Sequence, residues 1–256
     1  MKRAEDLVIT EISKLNNEHF VIYAKSKSDL SDILPGQFVN IEISESKNTF
    51  LRRPISVHDI RIEDNTIGLF VKIVGCGTSV LSQYKVGQTI NTILPLGNTF
   101  GYQKSKKPLL IGGGCGVAPL LYLAKKINQN GIKPTILFGA RSKEGILRLD
   151  EYKKWADVLI STEDGSMGEK GFVTEHSIIQ KIENFDKIFV CGPEPMMKAV
   201  AKIASKNNIE CEVSLENTMA CGIGACLCCV TDTINGNQCV CTEGPVFNIN
   251  QLKWQI

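Results

Sequence analysis

Over roughly its first 100 residues the chain alternates short apolar runs with polar breaks. Runs at 37–43, 67–74 and 89–94 are separated by Pro-Gly, Asp-Asn and Val-Gly-Gln turns. Short strands at that spacing predict a small antiparallel barrel. From Pro108 the period changes. An apolar strand over 108–111 runs into a glycine loop, and a helical pattern follows over 118–130. Further strands are predicted at 135–138, 158–161 and 187–191, with helical segments between them. Such alternation predicts a parallel sheet covered on both faces. The expected fold is therefore α+β and multi-domain. An antiparallel β-barrel over 1–101 is followed by a parallel α/β domain over 102–215 and a small C-terminal domain over 216–256.

Composition narrows the class of protein. The 256 residues are 43% hydrophobic and 22% charged, the balance of a globular chain. A net charge of +2 is too small for a nucleic-acid surface, and no partner of that kind is expected. The most apolar stretch, 109–124, is broken by glycines and a proline, so no membrane span is expected. The opening MKRAEDLVIT has basic residues but no apolar core behind them, so no signal peptide is read. Ten cysteines without a signal peptide point to thiols or metal ligands in a reducing cytoplasm, not to a disulfide framework.

The cysteines are unevenly spread. Six of the ten fall between Cys221 and Cys241. Cys221-x4-Cys226-x2-Cys229 has the spacing of the first three ligands of a plant-type 2Fe–2S cluster. Gly222 and Gly224 allow the backbone to curl and turn N–H groups towards sulfur. A zinc site would show paired C-x2-C units at a distance, and only Cys226 and Cys229 make such a pair. Spacing leaves the fourth ligand open: Cys239 and Cys241 would share one side of a strand, and Cys228 neighbours Cys229. His19, His58 and His176 lie far from this run and are not expected to be ligands.

Two glycine-rich segments suit phosphate. In the loop 111–119, Gly112, Gly113, Gly114 and Gly116 follow a strand and open a helix, where a pyrophosphate can meet free N–H groups. The loop departs from G-x-G-x-x-G, with Pro119 in the last glycine's place, and Gly-Ala-Arg-Ser at 139–142 puts no acid after the second strand. A tight turn with no ligand is the plain alternative. Cys191, Gly192 and Pro193 end the last parallel strand, another place where ligands bind. Cys115 and Cys191 both sit at strand ends, and inert packing is expected of each. In the first domain, Arg53-Pro54-Ile55-Ser56 offers a phosphate-pairing arginine and a hydroxyl. Gly75-Cys76-Gly77-Thr78 precedes a helix predicted from about Ser79.

Together these motifs resemble the electron-transfer subunits of type B dihydroorotate dehydrogenase, within the ferredoxin–NADP reductase superfamily. The resemblance runs the length of the chain. Arg-Pro-x-Ser, Gly-x-Gly-Thr, Pro-Leu-Gly-Asn-x-Phe, the glycine loop and Cys-Gly-Pro-x-Pro-Met are superfamily marks. Met-Ala-Cys-Gly-Ile-Gly-Ala-Cys at 219–226 and Cys-Thr-Glu-Gly-Pro-Val-Phe at 241–247 are more specific. The resemblance implies a flavin barrel, an NAD-binding domain and a C-terminal 2Fe–2S domain. It implies cluster ligands Cys221, Cys226, Cys229 and Cys241. It also implies an FAD site of Arg53, Pro54, Ile55, Ser56, Phe70, Val71, Lys72, Gly77 and Thr78, with NAD near Gly112–Gly116 and 191–193. Cys76 and Cys115 depart from the family, which often has lysine and an aliphatic residue there.

The activity implied is a relay in pyrimidine biosynthesis. An FMN-containing catalytic subunit oxidises dihydroorotate, single electrons pass through the 2Fe–2S cluster to FAD, and a hydride goes to NAD+. A heterotetramer of two subunits of each kind is implied. No base for dihydroorotate is found in this chain, and Arg141 leaves NADP open beside NAD. Two other readings stand: a flavin/iron–sulfur subunit of a hydrogenase or ferredoxin:NADP oxidoreductase, and a non-catalytic zinc-stabilised adaptor.

Overall fold

The structure, a computed structural model, describes residues 1–45 and 48–254. In the first region β1 (Arg3–Lys14), β2 (His19–Lys25), β3 (Phe38–Ile41), β4 (Arg53–Arg61) and β5 (Thr66–Lys72) precede a short helix α1 (Cys76–Leu81) and β6 (Thr89–Leu96). Among the described residues these strands close into an antiparallel barrel in the order β1-β2-β5-β4-β3-β6. Closure leaves no unpaired edge. Leu7, Ile22, Val39, Val57, Leu69 and Leu94 are fully buried. The runs expected at 37–43, 67–74 and 89–94 appear as β3, β5 and β6 with shifted ends. The helix expected from about Ser79 starts at Cys76. There the Thr78 hydroxyl accepts the N–H groups of Val74 (2.9 Å) and Gly75 (3.3 Å), which closes the turn early.

The second region has β7 (Pro108–Gly113), α2 (Ala118–Gln129), β8 (Thr135–Ala140), α3 (Leu149–Lys153), β9 (Asp157–Thr162), β10 (Glu169–Lys170), β11 (Lys187–Cys191), α4 (Glu194–Lys206) and β12 (Glu210–Ser214). A hairpin of β13 (Val230–Thr233) and β14 (Gly236–Cys239) and a last strand β15 (Val246–Asn248) follow. The main sheet runs β10-β9-β8-β7-β11-β12-β15, parallel except for β15, which pairs antiparallel with β12. Between β9 and β11 the helical segments expected are only 3₁₀ turns, Val173–Glu175 and Ser177–Asn184. Lys181 has non-helical dihedrals (φ −119°), and Ile178, Ile179 and Ile182 are β-branched, so no α-helix continues there.

Phe100, Leu110, Leu120, Phe138, Tyr152 and Phe189 form the core of this region. Phe100 meets Phe189, and Phe138 meets Tyr152, edge to face with centroids 5.5 and 4.6 Å apart. A lysine opens the interior strand β11 because Lys187 Nζ reaches Glu210 (2.6 Å), Glu212 (2.7 Å) and the Gly101 carbonyl (2.9 Å).

Contacts group residues 1–99, 216–230 and 239–245 into one compact unit, and 100–215, 231–238 and 246–256 into another. The stretch 216–256, expected as a domain of its own, is shared between them. The cysteine-bearing parts group with the barrel.

Candidate functional site

On the barrel unit, the cysteine loop is held in a curl by Gly222 (φ +73°) and Gly224 (φ +86°), a conformation that L side chains rarely adopt. A Cβ at Gly222 would stand 2.6 Å from Asn40 Nδ2, so the loop lies directly on β3. The thiols lie near one another: Cys221 interacts with Cys226, and Cys229 with both Cys239 and Cys241. Backbone N–H groups point at the sulfurs: Ile223 to Cys221 Sγ (3.5 Å), Gly224 to Cys241 Sγ (3.1 Å) and Cys241 to Cys229 Sγ (3.4 Å). The Ile223 N–H is the main reason the Cys221 thiol is held down at about 6, against burial and with help from Cys226. Burial pushes Cys241 up to about 12, and Cys229 beside it adds to the shift.

The other two cysteines of the run are Cys228 and Cys239. The exposed Cys228 thiol turns to the Thr218 carbonyl (3.6 Å). Cys239 is buried beside Cys229, and its N–H is held by Glu243 (2.8 Å). Among the described residues no three Cys, His, Asp or Glu side chains gather on one ion. Neighbouring thiols, three of them with N–H donors to sulfur, fit a 2Fe–2S cluster, whose four thiolates are divided between two irons.

The flavin motif lies on the same unit. Arg52 and Arg53 are neighbours with different fates. Arg52 is committed to Glu42 (2.7 Å) and to the Asn40 and Asn91 carbonyls. Arg53 bonds only the Leu51 (2.7 Å) and Arg52 (3.4 Å) carbonyls, with no carboxylate partner among the described residues. Its guanidinium lies over Gly77, where a Cβ would come within 2.7 Å of Nε. This places an arginine without a counter-charge against the amides that open α1, an arrangement suited to a diphosphate. Pro54, Ile55 and Ser56 follow Arg53 along β4 and are half-buried. Phe70 and Val71 are buried, the Phe70 ring lying near those of His19 and His58, while Lys72 is exposed and pairs with Glu18 (3.7 Å). Thr78 spends its hydroxyl on its own loop.

In the second unit β7 and β11 are adjacent and parallel, with Gly112 opposite Cys191. The chain runs outward from β7 through β8, β9 and β10, then returns to add β11 on the other side. The carboxyl ends of β7 and β11 therefore flank the switch point, where open α/β sheets bind ligands. Glycine is required there. A Cβ on Gly116 would stand 2.3 Å from the Cys191 carbonyl oxygen, and one on Gly113 would stand 2.5 Å from Met196 Sδ. Gly114 (φ +53°) has open space around it, and Gly192 takes φ +153°. Pro193 immediately precedes α4. Tyr152 Oη donates to the Val117 carbonyl (2.8 Å) and fixes the start of α2.

Residues 110–202 match the oxidoreductase NAD-binding domain, and residues 216–253 match the iron–sulfur cluster binding domain of dihydroorotate dehydrogenase B. A dihydroorotate dehydrogenase B (NAD(+)) electron transfer subunit from Fusobacterium nucleatum is 39% identical, over 98% of this chain and 99% of the relative. The chain belongs to the family of dihydroorotate dehydrogenase B electron transfer subunits. A second member, from Caldanaerobacter subterraneus, is 41% identical over 83% of this chain and 84% of its own. Among solved structures, one of an NADH-dependent reduced ferredoxin–NADP oxidoreductase superposes with TM-score 0.86. It is 31% identical and covers 97% of this chain and 90% of its own. As an electron transfer subunit of this family, the chain is an oxidoreductase with a cluster-binding segment and an NAD-binding domain.

Sequence reasoning missed three residues that shape these sites: Asn40, Asn98 and Tyr152. Asn40 had one signal, a polar residue inside the apolar strand Phe-Val-Asn-Ile. Asn98 was present only as part of a motif.

Proposed function

We propose that this subunit moves electrons between an FMN-containing dihydroorotate dehydrogenase subunit and NAD+, in the reducing cytoplasm, during pyrimidine synthesis. The observation that carries the reading is the curled cysteine loop, grouped with the barrel that bears Arg53, whose backbone N–H groups turn to the sulfurs of Cys221, Cys229 and Cys241. These four cysteines hold the 2Fe–2S cluster, and the N–H groups of Ile223, Gly224 and Cys241 stabilise negative charge on sulfur. Arg53 and the amides around Gly77 and Thr78 hold the FAD pyrophosphate, with Pro54, Ile55 and Ser56 along the flavin and the 70–72 strand beside it. Gly112, Gly113, Gly114 and Gly116, with Cys191, Gly192 and Pro193, receive NAD at the switch point. When bound, the cluster exchanges electrons singly and FAD links them to hydride transfer with NAD+.

The partner meets the cysteine loop. Ile223 and Leu227 are 49% and 64% exposed beside the ligands, as suits a partly apolar contact in a heterotetramer of two subunits of each kind. No helix among the described residues is long and apolar enough to cross a membrane. The ferredoxin–NADP oxidoreductase likeness supports a second reading, a subunit serving ferredoxin, but the 216–253 match favours the dihydroorotate system.

Co-purification with an FMN-containing partner, followed by orotate-linked NADH turnover, tests the reading. A complex that consumes NADH with orotate is expected. Reduction of ferredoxin without orotate activity would favour the second reading. Ile223→Glu or Leu227→Glu should weaken orotate reduction more than NADH–dye activity, and equal loss of both would remove the interface assignment.

A further inference from the structure

The cysteine loop touches the barrel through two asparagines. Asn40 in β3 is fully buried, and its Nδ2 donates to the Cys221 carbonyl (3.3 Å). Its Oδ1 is buried without a hydrogen-bond partner among the described residues. Such a group is destabilising, so a buried asparagine here is not explained by packing alone. Across the β3–β4 ladder Asn40 stands opposite Pro54, inside the 53–56 motif. The second asparagine, Asn98, follows β6, which also pairs with β3. Its Nδ2 donates to the Glu243 carbonyl (2.7 Å), and its N–H donates to the Gly244 carbonyl (2.6 Å). One asparagine thus grips the loop at Cys221, and the other grips it just beyond Cys241. Two neighbouring glycines mark the close approach. A Cβ on Gly222 would strike Asn40, and one on Gly97 would come within 2.5 Å of Pro245.

We propose that Asn40 and Asn98 are positioning residues: a two-point clamp that fixes the cysteine loop on the flavin strands and so sets the separation of the two electron carriers. The proposal rests on the cluster assignment above. A side chain that only filled space could be replaced by one of its own shape without consequence for electron movement. A clamp could not, because transfer between carriers falls steeply with distance and the loop's register sets that distance.

Asn40→Leu keeps the volume and removes the amide. Asn40→Asp keeps the shape and removes the donor. The readouts are cluster loss to an iron chelator, the electron paramagnetic resonance spectrum of the reduced cluster, and cluster bleaching on anaerobic mixing with NADH. In both Asn40 variants chelator loss should quicken about tenfold, the range typical of groups that orient metal ligands. The resonance spectrum should shift and NADH-driven bleaching should slow, while FAD content and NADH–dye activity stay at the parent's level. Unchanged chelator loss and bleaching in either folded variant would overturn the clamp. If neither folds, Asn98→Ala, at the half-exposed end, decides by the same readouts. A parent chain that takes up no iron would sink the cluster assignment instead. The clamp is then judged on the iron-free chain by amide hydrogen exchange over 221–224, which must be faster in the variants for it to stand.

Discussion

The cysteine loop on the barrel and the glycine loops at the switch point solve the same problem with opposite materials. In the proposed cluster site thiol side chains do the binding, and the backbone is bent to turn N–H groups towards sulfur. At the switch point the absence of side chains matters: Gly113 and Gly116 let two strand ends lie against Met196 and the Cys191 carbonyl. One site should therefore fail when side-chain atoms are removed, and the other when they are added.

The largest effect expected is at the cysteines. Serine at Cys221, Cys226, Cys229 or Cys241 should remove the cluster, measured as iron and sulfide per chain, while Cys228→Ser and Cys239→Ser retain it. Cluster loss in Cys239→Ser with retention in Cys241→Ser would exchange the fourth ligand. The opposite behaviour is expected at the glycines. Gly116→Ala should cost about 3 kcal/mol of stability, since its Cβ meets a backbone carbonyl at 2.3 Å, and NADH–dye activity should fall with it. Gly114→Ala, with open space but φ +53°, should cost about 1–2 kcal/mol. Denaturant melts and NADH titrations separate the two. Cys191→Ala should leave NADH use intact, and a large loss there would break the contrast.

Arg53→Ala should weaken FAD about tenfold or more through loss of a charge-assisted contact, with iron content unchanged, as read by flavin release on dilution. A further effect, away from both sites, concerns a side chain that organises backbone. Burial would raise the Glu5 carboxyl, but Ser26, Arg3 and the Ser28 and Lys27 amides hold it down at about 2. Its folded value lies below the ordinary 4.5, so it stabilises the fold above about pH 4.5 and this contribution is lost as pH falls towards 2. Glu5→Gln should lower stability at neutral pH by on the order of 2 kcal/mol and flatten the acid limb of the melting profile.

The parts of the molecule that were legible in the chain are those with a period or a fixed spacing. Strand 187–191 and the helix from Ala118 emerged nearly as read, because apolar periodicity reflects burial directly. The cysteine spacing carried the cluster chemistry. What stayed hidden depends on distant partners. Nothing near Lys187 in sequence announces Glu210 and Glu212 on the next strand. Nothing near Arg52 and Arg53 says that Glu42 takes the first and leaves the second without a carboxylate among the described residues. Asn40 could be noticed as a polar residue in an apolar strand, but its partner lies 181 residues away.

The division of the last 41 residues has a consequence for the protein's ancestry and for its engineering. The thiol-bearing pieces, 216–230 and 239–245, belong with the barrel, while the hairpin tip and β15 belong with the parallel sheet. A cassette cut out at Leu215 would therefore take away β15, the edge strand beside β12, together with the cluster. Grafting this tail onto another reductase would demand a host with a matching sheet edge and two matching asparagines. The cluster segment is better regarded as a seam sewn through its scaffold than as a detachable module, and recombination at that boundary should be rarely tolerated.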